Sequence, residues 1–261
     1  MVTSDKSFAD RGFTPLFYQQ WSDLLFVHWE IGPDLVQQRL PKSLTVETYG
    51  GKAWIGVVPF VLTGVRPTGF FRIPFFDRFL ELNLRTYVRD DEGRSGVWFF
   101  SLEANHALAV VAARRIFHLN YQHAHFEFRR ISDEEIMMRV QRHTEDAPLV
   151  RIHYTRELET AQCAIPGSLE EFLIERYRLF SLRERDGMLN SCKIAHHPYR
   201  LLRAHAHLDG RELFRVNGFP EPDTPPAHVV AAMPVNVATD RLRHAELQTE
   251  ALPQPSAVAV S

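Results

Sequence analysis

Lysine is scarce in this chain. Only Lys6, Lys42, Lys52 and Lys193 occur among 261 residues, so most of the 30 basic side chains are arginines and amine chemistry has four candidates. Cysteine is scarcer still. Cys163 and Cys192 stand far apart without a CxxC pattern, which gives no disulfide framework and fits two free thiols in a reducing compartment. Neither sign of charge dominates: the net charge is −2, leaving no electrostatic footprint for nucleic acid. The longest apolar run, near Trp54–Leu62, falls well short of the roughly 20 residues that a membrane-spanning helix needs. The opening MVTSDKSFADRGF lacks the apolar core of a secretory signal. A cytoplasmic protein with no nucleic-acid or membrane partner is expected. There is no GxSxG elbow, no P-loop, no GxGxxG after a strand, no HExxH and no Asp-rich loop. Nucleophile-elbow and Gly-rich phosphate chemistry are therefore excluded, and no cofactor or metal is expected.

What is present reads as a globular domain. Hydrophobic residues make up 45% and charged residues 24%, with 19 Phe and 4 Trp for an aromatic core. Trp21–Trp29 reads as a strand. Pro33–Leu40 reads as a short helix opened by Gly32-Pro33 and stopped by Pro41. Leu44–Tyr49 and Lys52–Leu62 flank Gly50-Gly51, a type I′ hairpin signal because both central residues need positive φ. Glu81–Arg89 pairs with Val97–Leu102 around DDEGRSG. Asn105 is a candidate cap for a helix to about Phe117, with Leu108, Val111, Ala112 and Ile116 as its buried stripe. Strands follow near 123–130, 135–143 and 150–154. Ser168 with Glu171 forms a capping box for a second helix. Runs 177–182 and 188–196 bracket Asp186-Gly187, and 199–208 and 227–235 read as strands.

About ten hairpin-linked strands with two modest helices predict one α+β domain over residues 15–240. It is built on a large, mostly antiparallel sheet that curls on itself. Residues 1–14 form an N-terminal arm, and 241–261 a disordered tail without apolar periodicity. The segment Arg66–Phe79 (RPTGFFRIPFFDRF) is a lid, an oligomer contact or a loop packed on its own domain.

The candidate chemistry lies in Glu81–Phe128. Glu81, Asn83 and Arg85 share one strand face by the period of two. If that face points into a barrel, burial raises the Glu81 carboxyl until it can carry a proton, and Arg85 can bind a carboxylate through two parallel bonds. If it points outward, the same residues make a surface ion pair. His123/His125 and His205/His207 each share a strand face. They fit a chelating pair short of a third ligand, or polar residues on a wet face. In His196-His197-Pro198 only one imidazole can face a pocket. It is either a general acid or base at a rim or a hydrogen-bonded structural histidine.

Six ordered blocks carry a resemblance: WSDLLFVHWEI, LPKSLTVETYGGKAWIGVVPF, ELNLRTYVR, GVWFFSLEA, ARRIFHLNYQHAHF and KIAHHPY. Over roughly residues 15–235 they resemble the YqjF-like family, a bacterial domain of unknown function. That family more remotely resembles the acetoacetate decarboxylase-like superfamily, which implies a cone-like β-barrel around a small apolar cavity. The decarboxylase pattern Arg-Glu-x-x-Gly-x-Pro-Lys-Lys aligns with Arg114–Gln122. Arg114 matches, Arg115 replaces Glu, His118 replaces Gly and Asn120 replaces Pro. Tyr121 and Gln122 replace both lysines. Without an amine no imine forms, so Schiff-base decarboxylation is not expected. Lys193 is the remaining lysine near a motif, and nothing places a second cation beside it.

The resemblance together with the residues gives a candidate set. Glu81, Tyr121, His123, His196 and His197 are candidate catalytic groups. Arg85, Arg114, His118 and Gln122 are candidate substrate contacts. Tyr121 with His118 or His123 would donate hydrogen bonds to a carbonyl. Three readings stand: a cofactor-independent lyase, isomerase or hydratase acting on a small carbonyl or carboxylate compound, a non-catalytic module for a small apolar ligand, and a structural protein. A homo-oligomer is compatible with each.

Overall fold

The computed structural model describes residues 13–69, 78–144, 147 and 149–244. Residues 70–77, the centre of the Arg66–Phe79 segment read as a lid, an oligomer contact or a packed loop, lie outside the described residues. So do most of the 1–14 arm and of the 241–261 tail.

Fifteen strands and four short α-helices are described. The first strands are β1 (Pro15–Ser22), β2 (Leu24–Ile31), β3 (Leu44–Val46) and β4 (Ala53–Pro67). Next come β5 (Arg78–Asp90), β6 (Ser95–Ala104), β7 (Tyr121–Arg130), β8 (Glu135–Arg142) and β9 (Leu149–Arg156). The last are β10 (Arg178–Arg183), β11 (Met188–His196), β12 (Leu201–Asp209), β13 (His228–Ala232), β14 (Val235–Asp240) and β15 (Arg243–His244). The helices are α1 (Pro33–Gln37), α2 (Ala107–Phe117), α3 (Leu169–Ile174) and α4 (Glu212–Val216). The α+β class and the curled sheet are as the sequence predicts.

The sheet closes twice. One ring runs β1-β14-β11-β10-β6-β5-β4 and returns to β1. The other runs β6-β7-β8-β9-β12-β13-β2-β4-β5 and returns to β6. Strands β4, β5 and β6 are common to both. Closure removes most free edges, which tilt and stagger make possible. The long β4 serves both rings because one of its edges is divided: Ala53–Val57 pairs with β2, and Val61–Pro67 with β1.

The shared wall has two faces with different chemistry. On β5, Leu80, Leu82 and Leu84 join one hydrophobic cluster with Ile55, Val57, Ile136 and Ile152. Glu81, Asn83 and Arg85 face the other way, toward a cavity walled by Phe26, Val58, Phe60 and Leu102. The ladder between β5 and β6 slips between Leu84 and Arg85, so that Leu84 opposes Ser101 while Arg85 opposes Phe99. This bulge lets both Phe99 and Leu102 line the cavity.

Several local expectations are corrected. The run 21–29 is not one strand, because Asp23 adopts φ 51° and divides β1 from β2. Gly50 and Gly51 have the positive φ of a tight turn (60° and 76°), yet only Tyr49 and Lys52 bridge across it. β3 pairs with β5 instead of β4. The α2 cap is His106, whose Nδ1 accepts from Ala109 N at 3.2 Å. Asn105 instead accepts from Leu80 N at 2.8 Å, tying the helix entry to β5. Leu108, Val111 and Ile116 are exposed, and Val110 is the buried residue of that helix. β15 pairs with Asn190 and Ser191 of β11. No helix among the described residues is long and apolar enough to cross a membrane.

Candidate functional site

The cavity inside the seven-stranded ring has a volume of about 200 Å³. Its walls are mostly apolar: Leu24, Phe60, Leu62, Val97, Leu179 and Ile194 are among them. Helix α2 closes part of it with Ala109, Ala112, Ala113 and Phe117. Small alanines on that side explain why the bulky Leu108 and Val111 face out.

Polar groups enter this apolar space from few directions. Glu81 is buried, and its Oε2 accepts a hydrogen bond from Tyr121 Oη at 2.7 Å. Burial pushes the Glu81 carboxyl up to about 7, against the opposing hydrogen bonds from Tyr121 and Asn83, with Glu103 adding repulsion. The Tyr121 hydroxyl is pushed well above its ordinary range by burial and by Glu81, so it remains a donor. Arg85 gives Nη2 to Leu173 O at 3.0 Å and lies over the rings of Phe26 and Tyr87. Its Nε has no partner, and neither has Asn83 Oδ1 or Trp21 Nε1. All three residues line the cavity. Orphaned buried polar atoms cost roughly 1–3 kcal/mol each.

The predicted residues divide clearly by location. Glu81, Arg85 and Tyr121 line the cavity together. Arg114 and Gln122 do not: Arg114 Nε grips Tyr121 O at 2.6 Å, and its Nη2 reaches Gln122 Oε1 at 3.3 Å. They fasten α2 to β7 and so aim Tyr121. His118 caps the C-terminus of α2 with φ 52°. His123 stacks on His143 at 4.3 Å, away from the cavity. His196 lies behind the wall, with ring contacts to Tyr177 and Tyr199 and its Nδ1 against His197 O at 2.8 Å. Burial lowers its pKa to about 4, so it is neutral at neutral pH. His196 and His197 line a separate outer cleft with Lys193, Arg178 and Glu175. No described lysine lines the inner cavity. Among the described residues no group of three or more His, Cys, Asp or Glu is placed to hold a metal ion.

Sequence reading missed three contributors. Trp21 lines the cavity, and its Nε1 is buried without a partner. Arg176 lines the cavity while its Nη1 holds Glu47 Oε2 at 2.6 Å, and it follows α3 in a loop where periodicity is silent. His28 on β2 is fully buried and contacts Tyr87 Oη at 2.7 Å. Its alternation with Leu24 and Phe26 was the available signal.

Gly56 makes that last contact possible. A Cβ there would come within 2.8 Å of His28 Cδ2 and 2.9 Å of Nε2. We expect Gly56→Ala to cost about 1–3 kcal/mol by overpacking, seen as a lower urea midpoint. An unchanged midpoint would mean that the ring has somewhere else to go.

The sequence profile of DUF2071, described as an uncharacterized conserved protein, matches residues 18–235. The chain belongs to this family. Within reach of it, the uncharacterized protein YqjF of Bacillus subtilis (strain 168) is 35% identical over 208 residues, covering 80% of this chain and 84% of that protein. Among solved structures, the acetoacetate decarboxylase of Legionella pneumophila superposes with a TM-score of 0.60 at 13% identity, covering 90% of this chain and 88% of that one. An acetoacetate decarboxylase-like enzyme from Sphingomonas wittichii RW1 gives 0.60 at 14% identity, with coverage of 89% and 94%. The enduracididine biosynthesis enzyme MppR, complexed with pyruvate, gives 0.58 at 11% identity, with coverage of 88% and 90%. This DUF2071 member therefore has the acetoacetate decarboxylase-like fold, and its structural neighbours include enzymes.

Proposed function

We propose that the cavity takes a small, mostly apolar carbonyl or carboxylate compound and that Glu81 moves a proton on it. The observation that carries this reading is the buried Glu81 and Arg85 with the half-buried Tyr121 in one apolar hollow, beside orphaned atoms of Asn83, Arg85 and Trp21. A volume near 200 Å³ is below the roughly 300–1,000 Å³ of drug-sized sites, which selects a small metabolite. Arg85 Nε anchors an anionic oxygen, and the Tyr121 hydroxyl polarises a carbonyl. A carboxyl that titrates near neutrality gives and takes protons with little penalty at neutral pH. Pyruvate in one neighbour of the same fold supports a keto acid as the first probe. A lyase, isomerase or hydratase step without an imine is the reaction class.

The largely apolar lining favours a second reading, a binding module without turnover. Solvent-deuterium exchange separates the two. Wild-type protein in heavy water should exchange the α-protons of pyruvate or 2-oxoisovalerate if Glu81 is a base. Binding without exchange, across a panel of small keto acids and aromatic acids, would leave only the module.

The anchor has its own test. Arg85→Met should weaken carboxylate binding by about tenfold or more, since hydrogen bonds to charged groups contribute roughly 1.5–3 kcal/mol. Calorimetric titration measures it, and equal affinities would remove Arg85 from the site.

A further inference from the structure

We infer that the cavity holds its ligand at two separate poles, and that it prefers oxo acids whose carbonyl stands about four bonds from the carboxylate over those in which the two are adjacent. The inference rests on the proposed roles of Arg85 as anion anchor and of Glu81 with Tyr121 as the carbonyl site. It adds the distance between them, and with it the class of substrate.

The charged groups of the lining are segregated. Arg85 and Arg176 are both tied to the end of α3: Arg85 gives Nη2 to Leu173 O at 3.0 Å, and Arg176 gives Nε to Phe172 O at 2.6 Å. The last carbonyls of a helix lack partners within it, so they accept such donors. Both guanidinium carbons also lie against the ring of Tyr87, at 5.6 and 5.2 Å from its centre. Glu47 neutralises Arg176 at 2.6 Å, which leaves Arg85 to take a ligand's carboxylate. Glu81 is the acid of the lining, and its partner is Tyr121 Oη at 2.7 Å. That pair shares one hydrogen between its oxygens. When Glu81 is protonated, its own hydrogen is available to a carbonyl.

Strand β5 sets how far apart these ends lie. Glu81, Asn83 and Arg85 are alternate residues on its cavity face. A rise of about 3.3 Å per residue separates the α-carbons of Glu81 and Arg85 by about 13 Å. The guanidinium is held at its own end, between Leu173 O and the ring of Tyr87, which is two residues further from Glu81 along the strand. Side chains and hydrogen bonds take up about 4 Å at each pole. About 5 Å then remains between the ligand's carboxylate carbon and its carbonyl carbon, or about four carbon–carbon bonds of about 1.5 Å in zigzag. In a 2-oxo acid those carbons are bonded directly. Such a compound meets one pole at a time and lays its alkyl tail on the other, so it is the poorer ligand of the same site. Between the poles Val58, Phe60, Phe99 and Leu102 offer an apolar wall to the intervening methylenes. The reverse orientation would set the ligand's carboxylate beside Glu81, where like charges repel.

Two isomers test this with no change in size or charge. Calorimetric titration of the wild type at about pH 6 should find 5-oxohexanoate about fivefold tighter than 2-oxohexanoate, the gain of a hydrogen bond at the second pole. Arg85→Met should weaken both by about tenfold, since both give their carboxylate to the same guanidinium. Glu81→Leu combined with Tyr121→Phe removes both partners of the second pole together, which costs less than stranding one of them. That double variant should bring 5-oxohexanoate down to the affinity of hexanoate itself and leave 2-oxohexanoate unchanged. Isomers of equal affinity in the wild type would overturn the two-pole inference and leave carboxylate binding at Arg85 intact, as would a folded double variant that weakens both alike. The wild-type comparison stands whether or not the variants fold. A wild type that binds neither isomer nor hexanoate would refute the proposed function, and this inference with it.

Discussion

Glu81→Gln is expected to lower proton exchange at a keto-acid probe by at least about a hundredfold, the lower end of what a positioned acid or base contributes. The same change should remove a pH dependence of stability. The folded carboxyl titrates near 7 against an ordinary 4.5. Between those values the folded state binds more protons than the unfolded state, so wild-type stability falls as pH rises through this window. The loss is on the order of 3 kcal/mol, complete above the folded value. Glutamine is neutral throughout and still offers Tyr121 an acceptor. The variant should therefore match wild type at about pH 5 and exceed it at about pH 8, in urea midpoints taken at both. A variant that is less stable at both values would show that Glu81 is a structural ion, and exchange that survives it would take Glu81 out of the chemistry.

The location of that carboxyl was legible because a strand has an unforgiving period. Glu81, Asn83 and Arg85 alternate with Leu80, Leu82 and Leu84, and a wall shared by two rings buries both sets. The alternation identifies a shared face, and closure of the sheet decides that the face is inside. Helix α2 shows where periodicity fails. The run Ala107–Ala113 is apolar on every side, so several stripes fit equally well. Val110 packs into the core and the alanines meet the cavity, whose size no local pattern encodes.

Long-range partners were equally silent in the sequence. Nothing local says that Asn105 serves Leu80, that β3 joins β5, or that Gly56 is empty for the sake of a histidine on another strand. The motif between Arg114 and Gln122 drew attention to polar side chains, and its structural effect is to aim one of them. Arg114 holds the Tyr121 carbonyl, and Tyr121 reaches Glu81. The division of labour within that block depends on which side chains reach the cavity.

The corner at Asp23 should be the most sensitive point for stability. The chain leaves the seven-stranded ring after β1 and enters the nine-stranded ring with β2, turning at Asp23 with φ 51°. Its buried carboxylate takes Arg130 Nη2 at 2.5 Å and Arg156 Nη2 at 3.2 Å, while its carbonyl accepts from Tyr154 Oη at 2.9 Å. Arg156 is buried as well, and has no water to turn to. Asp23→Ala strands that cation and puts a residue poorly suited to positive φ at the turn, so about 3–5 kcal/mol should be lost. Asp23→Asn keeps a side chain that tolerates the turn and one acceptor, and should lose less. Because Trp21 and Leu24 flank the corner and both line the cavity, the alanine variant should also bind carboxylate probes more weakly at temperatures where it is still folded. Chemical denaturation ranks the three proteins. An alanine variant within about 1 kcal/mol of wild type would mean that the two arginines find other partners, and that the corner holds its shape through backbone pairing alone.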